Sequence, residues 1–200
     1  NMKNKTQILI IHGGTPFDTY EEYLYFLKSK ELTLERINQI GWKDKLSENL
    51  PHFEVIYPKM PNSMNAKYEE WKIWLEKMIN FIHDDVILIG HSLGGIFLAK
   101  YLSENGFTKK IKSLHLIAAP YDAEYNKQSL SDFALKGPVS NIENIVKNIF
   151  IYQSKDDTEV SFHDAEKYKI DLQHATVLMF EDRGHFIQEQ FPELIENISN

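Results

Sequence analysis

A short apolar run at residues 86–89 leads directly into a Gly-His-Ser-Leu-Gly sequence at 90–94, and a segment of helical pattern follows at 96–102. Strand, Gly-x-Ser-x-Gly and helix are the context of a nucleophile elbow, a sharp turn that exposes one serine hydroxyl. The residues two positions either side of Ser92 must lack a Cβ atom so that strand and helix can approach, and both are glycine. We therefore predict a strained turn that presents Ser92 at a helix N-terminus, where free N–H groups favour developing negative charge.

The rest of the chain continues the alternation of apolar runs and helical patterns. Near-continuous apolar runs are typical of parallel strands that are buried on both faces. We predict strands at residues 6–11, 53–58, 86–89, 111–118, 149–152 and 175–180. We predict helices within 17–48 and at 66–82, 96–102, 141–148, 161–169 and 192–198. The alternation indicates an α/β fold, a single domain over residues 1–200 with about six mostly parallel strands between two layers of helices.

Two connections determine whether a lid covers the edge of the sheet at the carboxyl ends of the strands. The connection between the first two strands has about twenty residues more than a simple crossover needs, which predicts an extra helical insertion at about residues 17–40 beside that edge. Residues 120–138 follow the fourth strand, where a lid would start, but they are irregular and too few for a packed helical lid. We therefore expect a minimal lid.

Polar residues with complementary chemistry follow three of the predicted strands. Ser92 follows the third strand, the pair Asp156 and Asp157 follows the fifth, and His185 follows the sixth. The carboxyl ends of parallel strands share one edge, where the chemistry of such sheets gathers. A serine nucleophile needs an adjacent base, and the base needs a carboxylate that orients it. The order Ser, Asp, His along the chain is that of the α/β-hydrolases.

The base and the acid each have to be chosen among several candidates. Of the eight histidines, only His185 lies in the loop after the last strand, whereas His12 is expected to anchor a glycine turn. For the acid we favour Asp157, because its sequence as far as Ser161 resembles the Asp-x-x-Val-Pro turn of these hydrolases. Asp156 remains the alternative, with a loop-capping or solvated role if Asp157 is the acid.

A tetrahedral intermediate also needs donors for its oxyanion, and a substrate needs a wall to bind against. We predict the N–H groups of Leu93 and Gly14 as donors, with Thr15 as the alternative in the loop after the first strand. Strand-end side chains form the candidate wall, with ordinary core packing as the competing interpretation. The predicted substrate-binding residues are Thr15, Met60, Tyr121 and Phe186.

Composition excludes several other classes of function. A net charge of −7 and the lack of a basic patch argue against nucleic acid or an anionic membrane as partner. There is no cysteine, no paired metal-ligand spacing and no phosphate-binding glycine motif, so we expect neither metal nor cofactor. We interpret the apolar stripe of Trp71, Trp74 and Leu75 as core. Without a run of 18 apolar residues or a secretory signal, we expect a soluble cytoplasmic protein.

Further short motifs lie in order over residues 41–200 and resemble one family. The chain is similar to the small α/β-hydrolases that include the retinoblastoma-binding serine hydrolase and its bacterial relatives. This resemblance implies a compact sheet, little or no lid and a Ser-Asp-His triad, onto which Ser92, Asp157 and His185 fall. The motifs are Gly41-Trp42, Lys59-Met60-Pro61, the residues 89–94, Asp156-Asp157, Gly184-His185-Phe186 and Phe191-Pro192-Glu193-Leu194.

We therefore predict a serine hydrolase that cleaves a small-molecule carboxylic ester through an acyl-enzyme. A peptidase or a thioesterase uses the same triad, and the sequence does not separate these alternatives. A module that keeps the hydrolase fold but acts by binding another protein is the alternative from a different class, although no motif supports a protein partner.

Overall fold

The computed structural model describes residues 5–200, which contain one six-stranded sheet with all strands parallel. The order across the sheet is β2-β1-β3-β4-β5-β6. The strands are β1 Thr6–Ile11, β2 Phe53–Ile56, β3 Val86–His91, β4 Ile111–Ile117, β5 Asn148–Ser154 and β6 Thr176–Phe180. The α-helices are α1 Tyr20–Ser29, α2 Leu34–Ile37, α3 Trp42–Asn49, α4 Tyr68–Met78, α5 Leu93–Asn105, α6 His163–Asp171 and α7 Pro192–Ser199.

Helices cover both faces of the sheet, because each buried strand presents apolar side chains in both directions. In β1, Leu9 and Ile11 join the core under α4, α5 and α6, whereas Ile8 and Ile10 join the core under α3 and α7. Successive side chains of a strand point to opposite faces, so one apolar run fills two cores. The predicted three-layer α/β fold is confirmed.

The elements differ from their predicted form in two places. In α4, Trp71 and Leu75 are buried, but Trp74 is 42% exposed because the helix turns it away from the sheet. The predicted helix at 141–148 is instead a 3₁₀ helix at Ser140–Asn144, and β5 already begins at Asn148.

The two helices between β1 and α3 lie on the surface of the protein. Neither α1 nor α2 contains a buried residue, and several of their apolar side chains are exposed. In the part of the chain that the structure describes, no helix has the length and apolarity that a membrane span requires.

Candidate active site

The turn between β3 and α5 holds Ser92 in a backbone conformation that serine rarely adopts, with φ 57° and ψ −121°. The glycines on either side make this turn possible. A Cβ atom on Gly90 would lie 2.5 Å from the carbonyl oxygen of Gly94, and one on Gly94 would lie 2.1 Å from that of Ile11. Strand, turn and helix thus pack too closely for any side chain at these positions, and the strain is maintained by the surrounding fold.

A continuous chain of hydrogen bonds links the three predicted catalytic residues. The Nδ1 atom of His185 lies 2.9 Å from Oδ2 of Asp157, and its Nε2 atom lies 3.0 Å from Oγ of Ser92. This is the geometry in which a histidine can accept the proton of a serine while a carboxylate fixes its tautomer.

The two candidate acids have different surroundings. The Asp157 side chain is fully buried, and its Oδ1 accepts the N–H groups of Glu159 (2.8 Å) and Val160 (3.0 Å). The Oδ1 atom of Asp156 instead accepts Ser154 Oγ at 2.6 Å and the Gly184 N–H at 2.8 Å. The structure therefore gives Asp157 the contact with the imidazole, whereas Asp156 ties the loop that carries His185 to the end of β5.

The histidine also contacts a second carboxylate, which the sequence analysis missed. Oε2 of Glu159 lies 3.0 Å from Nε2 of His185. Burial alone lowers the pKa of His185, but the hydrogen bonds to Asp157 and Glu159 outweigh it and raise the pKa to about 9. No sequence signal distinguishes Glu159 from an ordinary solvated loop residue, because its contact is made across two loops.

Behind the imidazole, a buried pair supports the backbone of the histidine loop. Nε2 of His91 lies 2.9 Å from the carbonyl oxygen of His185, and Nδ1 lies 2.6 Å from Nζ of Lys43. Burial and the nearby Lys43 charge lower the pKa of His91, and burial lowers the pKa of Lys43 to about 8. A neutral His91 donates from Nε2 to His185 and accepts from Lys43, so it orients the loop rather than the nucleophile.

The loop after β1 lies against the nucleophile, as an oxyanion loop requires. A Cβ atom on Gly14 would be 3.4 Å from Cδ2 of Leu93, so the two predicted donors belong to adjacent segments. Within residues 5–200 neither of their N–H groups makes a backbone hydrogen bond outside the regular elements. The Thr15 N–H donates to the Ser63 carbonyl oxygen at 2.8 Å, which excludes Thr15 as the alternative donor.

His12 anchors this loop, as the sequence predicted. Its Nδ1 atom donates to the Gly13 carbonyl oxygen at 2.6 Å, and its Nε2 atom accepts the Met60 N–H at 2.9 Å. Both ring nitrogens are occupied by the backbone. His12 therefore holds the loop in place and has no free nitrogen for the reaction.

A cavity of about 510 Å³ opens beside Ser92 and includes Leu93, Gly14 and Thr15 in its wall. Charged side chains also belong to its lining, among them Lys30, Lys155 and Glu159. In the described part of the chain, no three His, Cys, Asp or Glu side chains converge as metal ligands. The apolar part of the wall includes Pro16, Phe26, Pro120, Tyr125, Leu130, Val160 and Phe162.

Three of the predicted substrate-binding residues do not line this cavity, and the structure corrects their interpretation. Phe186 is fully buried in the core under α3 and α7, where it stacks on Phe191. Met60 is only 4% exposed and belongs to the core on the other face of the sheet. Tyr121 packs edge-on against Tyr168, and its hydroxyl donates to Oδ2 of Asp171 at 2.6 Å. Core packing, the competing interpretation, applies to these three.

Sequence comparison finds that the chain is similar to known hydrolases. The profile of a family described as serine hydrolase matches residues 36–196. The serine hydrolase RBBP9 of Rattus norvegicus is 28% identical over 165 residues, which cover 80% of this chain and 84% of the relative. Putative esterase/lipase 1 of Mycoplasma genitalium is 32% identical over 142 residues, which cover 62% of this chain and 53% of the relative.

The solved structures that resemble this chain share its fold at low sequence identity. The ydeN gene product of B. subtilis superposes with a TM-score of 0.77 at 18% identity and covers 98% of this chain and 97% of its own. A lipase-esterase related protein of Clostridium acetobutylicum has a TM-score of 0.64 at 14% identity and covers 100% of this chain and 96% of its own.

Proposed function

The chain belongs to the serine hydrolase family, which confirms the resemblance found in its motifs, and we propose that it cleaves carboxylic esters through an acyl-enzyme on Ser92. One observation carries the proposal. The imidazole of His185 lies between Ser92 Oγ at 3.0 Å and Asp157 Oδ2 at 2.9 Å. The turn between β3 and α5 exposes Ser92 to a cavity.

In the acylation step, Ser92 Oγ attacks the carbonyl carbon of the ester while its proton passes to His185 Nε2. The carbonyl oxygen becomes the oxyanion and accepts the N–H groups of Leu93 and Gly14. When the tetrahedral intermediate collapses, the bond to the alcohol breaks, and His185 returns the proton to the leaving oxygen.

Deacylation repeats these steps with water as the nucleophile. The neutral His185 takes a proton from water as the water oxygen attacks the acyl carbon, and it returns that proton to Ser92 Oγ when the acyl–oxygen bond breaks and the carboxylic acid leaves. Asp157 accepts the hydrogen bond from His185 Nδ1 and stabilises the imidazolium in both steps.

Two observations support an ester as the substrate. The cavity wall beside Ser92 is partly apolar, which suits an acyl chain. One relative is named a putative esterase/lipase, although the alignment spans about half of that protein. Peptidase and thioesterase action use the same groups, and a protein-binding role would not need them.

The test is turnover of three matched butyryl substrates, a p-nitrophenyl ester, a thioester and a p-nitroanilide. We expect a burst of p-nitrophenol from the ester, followed by steady turnover, and neither in the Ser92→Ala variant. Cleavage of the thioester or the anilide without cleavage of the ester would refute the proposed substrate. Failure with all three substrates, together with no reaction at Ser92, would favour the binding module.

A further inference from the structure

The Nε2 atom of His185 has two competing partners in the active site. Ser92 Oγ and Glu159 Oε2 each lie 3.0 Å from it. A single ring nitrogen carries at most one proton. When that proton is directed at the Glu159 carboxylate, Nε2 has no lone pair with which to accept the proton of Ser92.

We propose that Glu159 competes with Ser92 for His185 and holds the free enzyme in a protonated resting state that cannot acylate. The inference deepens the proposed function and rests on it. Before acylation, the imidazolium must release its Nε2 proton to water. Only then does the neutral imidazole accept the proton of Ser92.

The arrangement of charges around the imidazole favours this resting state. Asp157 faces Nδ1, and Glu159 faces Nε2, so a negative charge stands at each end of the ring. The ring of His91 also packs against the ring of His185, with centroids 5.2 Å apart. It adds no positive charge, because burial and the Lys43 charge lower the pKa of His91 well below its ordinary value. The carboxylates thus outweigh burial, in accord with a pKa of about 9 for His185.

Glu159 remains ionised at neutral pH, and its side chain is free to move away from His185. Its hydrogen bond with His185 lowers its pKa against the effect of burial, and the charges of Lys30 and Arg36 lower it further. The side chain is 67% exposed, and in residues 5–200 its carboxylate has no other protein partner within bonding distance. Asp157 is tied by two backbone N–H groups, so of the two carboxylates only Glu159 can swing out of the cavity.

The size of the effect follows from the separation of the two charges. Even in a water-like dielectric, Coulomb's law across the 3.0 Å contact amounts to about one pKa unit. Neutralising Glu159 should therefore raise the fraction of neutral His185 at pH 7 about tenfold. Above pH 10 the imidazole is neutral with or without Glu159, and the advantage should vanish.

The experiment compares the wild type, Glu159→Gln and the control Glu166→Gln, an identical change at an exposed glutamate on α6 that pairs with His163. Rate constants for labelling by a fluorophosphonate probe are measured from pH 5.5 to 10.5. We expect the midpoint to fall by about one unit or more only in Glu159→Gln, with about tenfold faster labelling at pH 7 and equal rates at the alkaline end. Equal midpoints in the wild type and Glu159→Gln would overturn the proposal.

An NMR titration of the His185 ring, in a Ser92→Ala background, separates this inference from the proposed function. A lower titration midpoint of the His185 ring in Glu159→Gln would establish the coupling between Glu159 and His185 even in a protein that no probe labels. An unchanged midpoint would defeat the inference while leaving Ser92 as the nucleophile. If the wild type is never labelled, the proposed function fails, and the inference about acylation fails with it.

Discussion

Replacing Asp157 by asparagine removes the charge of the proposed acid while keeping its shape. The Oδ1 atom accepts two backbone N–H groups, from Glu159 at 2.8 Å and Val160 at 3.0 Å, so the amide oxygen of asparagine will stay there. Its NH₂ group must then face His185 Nδ1, 2.9 Å from the present Oδ2 position. Since two donors cannot bond, His185 will take the tautomer with its proton on Nε2, which faces both Ser92 and Glu159.

A histidine in that tautomer cannot accept the proton of the serine. We expect kcat/KM for p-nitrophenyl butyrate to fall by about ten-thousandfold, or about 5.5 kcal/mol of transition-state stabilisation. Asp156→Asn is the matched control, because its oxygen can keep the bonds from Ser154 Oγ and the Gly184 N–H. That variant should lose less than about tenfold.

The assay is ester hydrolysis at the pH optimum of each variant, with circular dichroism and thermal unfolding to verify the fold. A loss in Asp156→Asn equal to or larger than the loss in Asp157→Asn would refute the assignment of the acid. A small loss in a folded Asp157→Asn protein would refute the tautomer argument itself.

Three further predictions concern the cavity, the elbow and the linkage of stability to pH. p-Nitrophenyl acetate to hexanoate should be cleaved with higher kcat/KM than decanoate, because each CH₂ adds about 0.8 kcal/mol only while it is buried; a steady rise to decanoate would contradict this. Gly94→Ala should lower the free energy of unfolding, measured in urea, by about 3 kcal/mol or more, because its Cβ would meet the Ile11 carbonyl oxygen. Gly137→Ala is the control, and since open space surrounds that position, it should change the free energy of unfolding by less than about 0.5 kcal/mol. The pKa of His185 is raised to about 9, so the stability it contributes is present below its unfolded pKa of about 6.5 and lost as pH rises through 9. The free energy of unfolding of the wild type should therefore fall over this range relative to His185→Asn, and parallel pH curves would disprove the linkage.

The residues that the sequence located correctly are those whose position follows from topology. Apolar runs marked the strands, and parallel strands bring their carboxyl ends to one edge, so Ser92, Asp157 and His185 were expected to meet there. The elbow glycines gave a local steric reason for the turn. These inferences need only the order of the elements along the chain.

The errors concern side-chain direction and contacts between loops, which topology does not determine. Phe186 follows His185 directly, yet its positive φ of 56° turns the ring into the core. Met60 serves the site through its backbone N–H, which no side-chain pattern reports. Glu159 meets His185 across two loops, and no spacing in the sequence indicates this contact or the raised pKa of His185 that goes with it.

The central claim is that Ser92 is the nucleophile, and covalent labelling tests it most directly. The wild type is treated with a fluorophosphonate at pH 9 to 10, and the modified residue is located by peptide mass spectrometry. We predict one label per chain, on Ser92, and no label in a Ser92→Ala variant that keeps its fold. A label that persists in Ser92→Ala, or a folded wild type that takes up none, would contradict the claim.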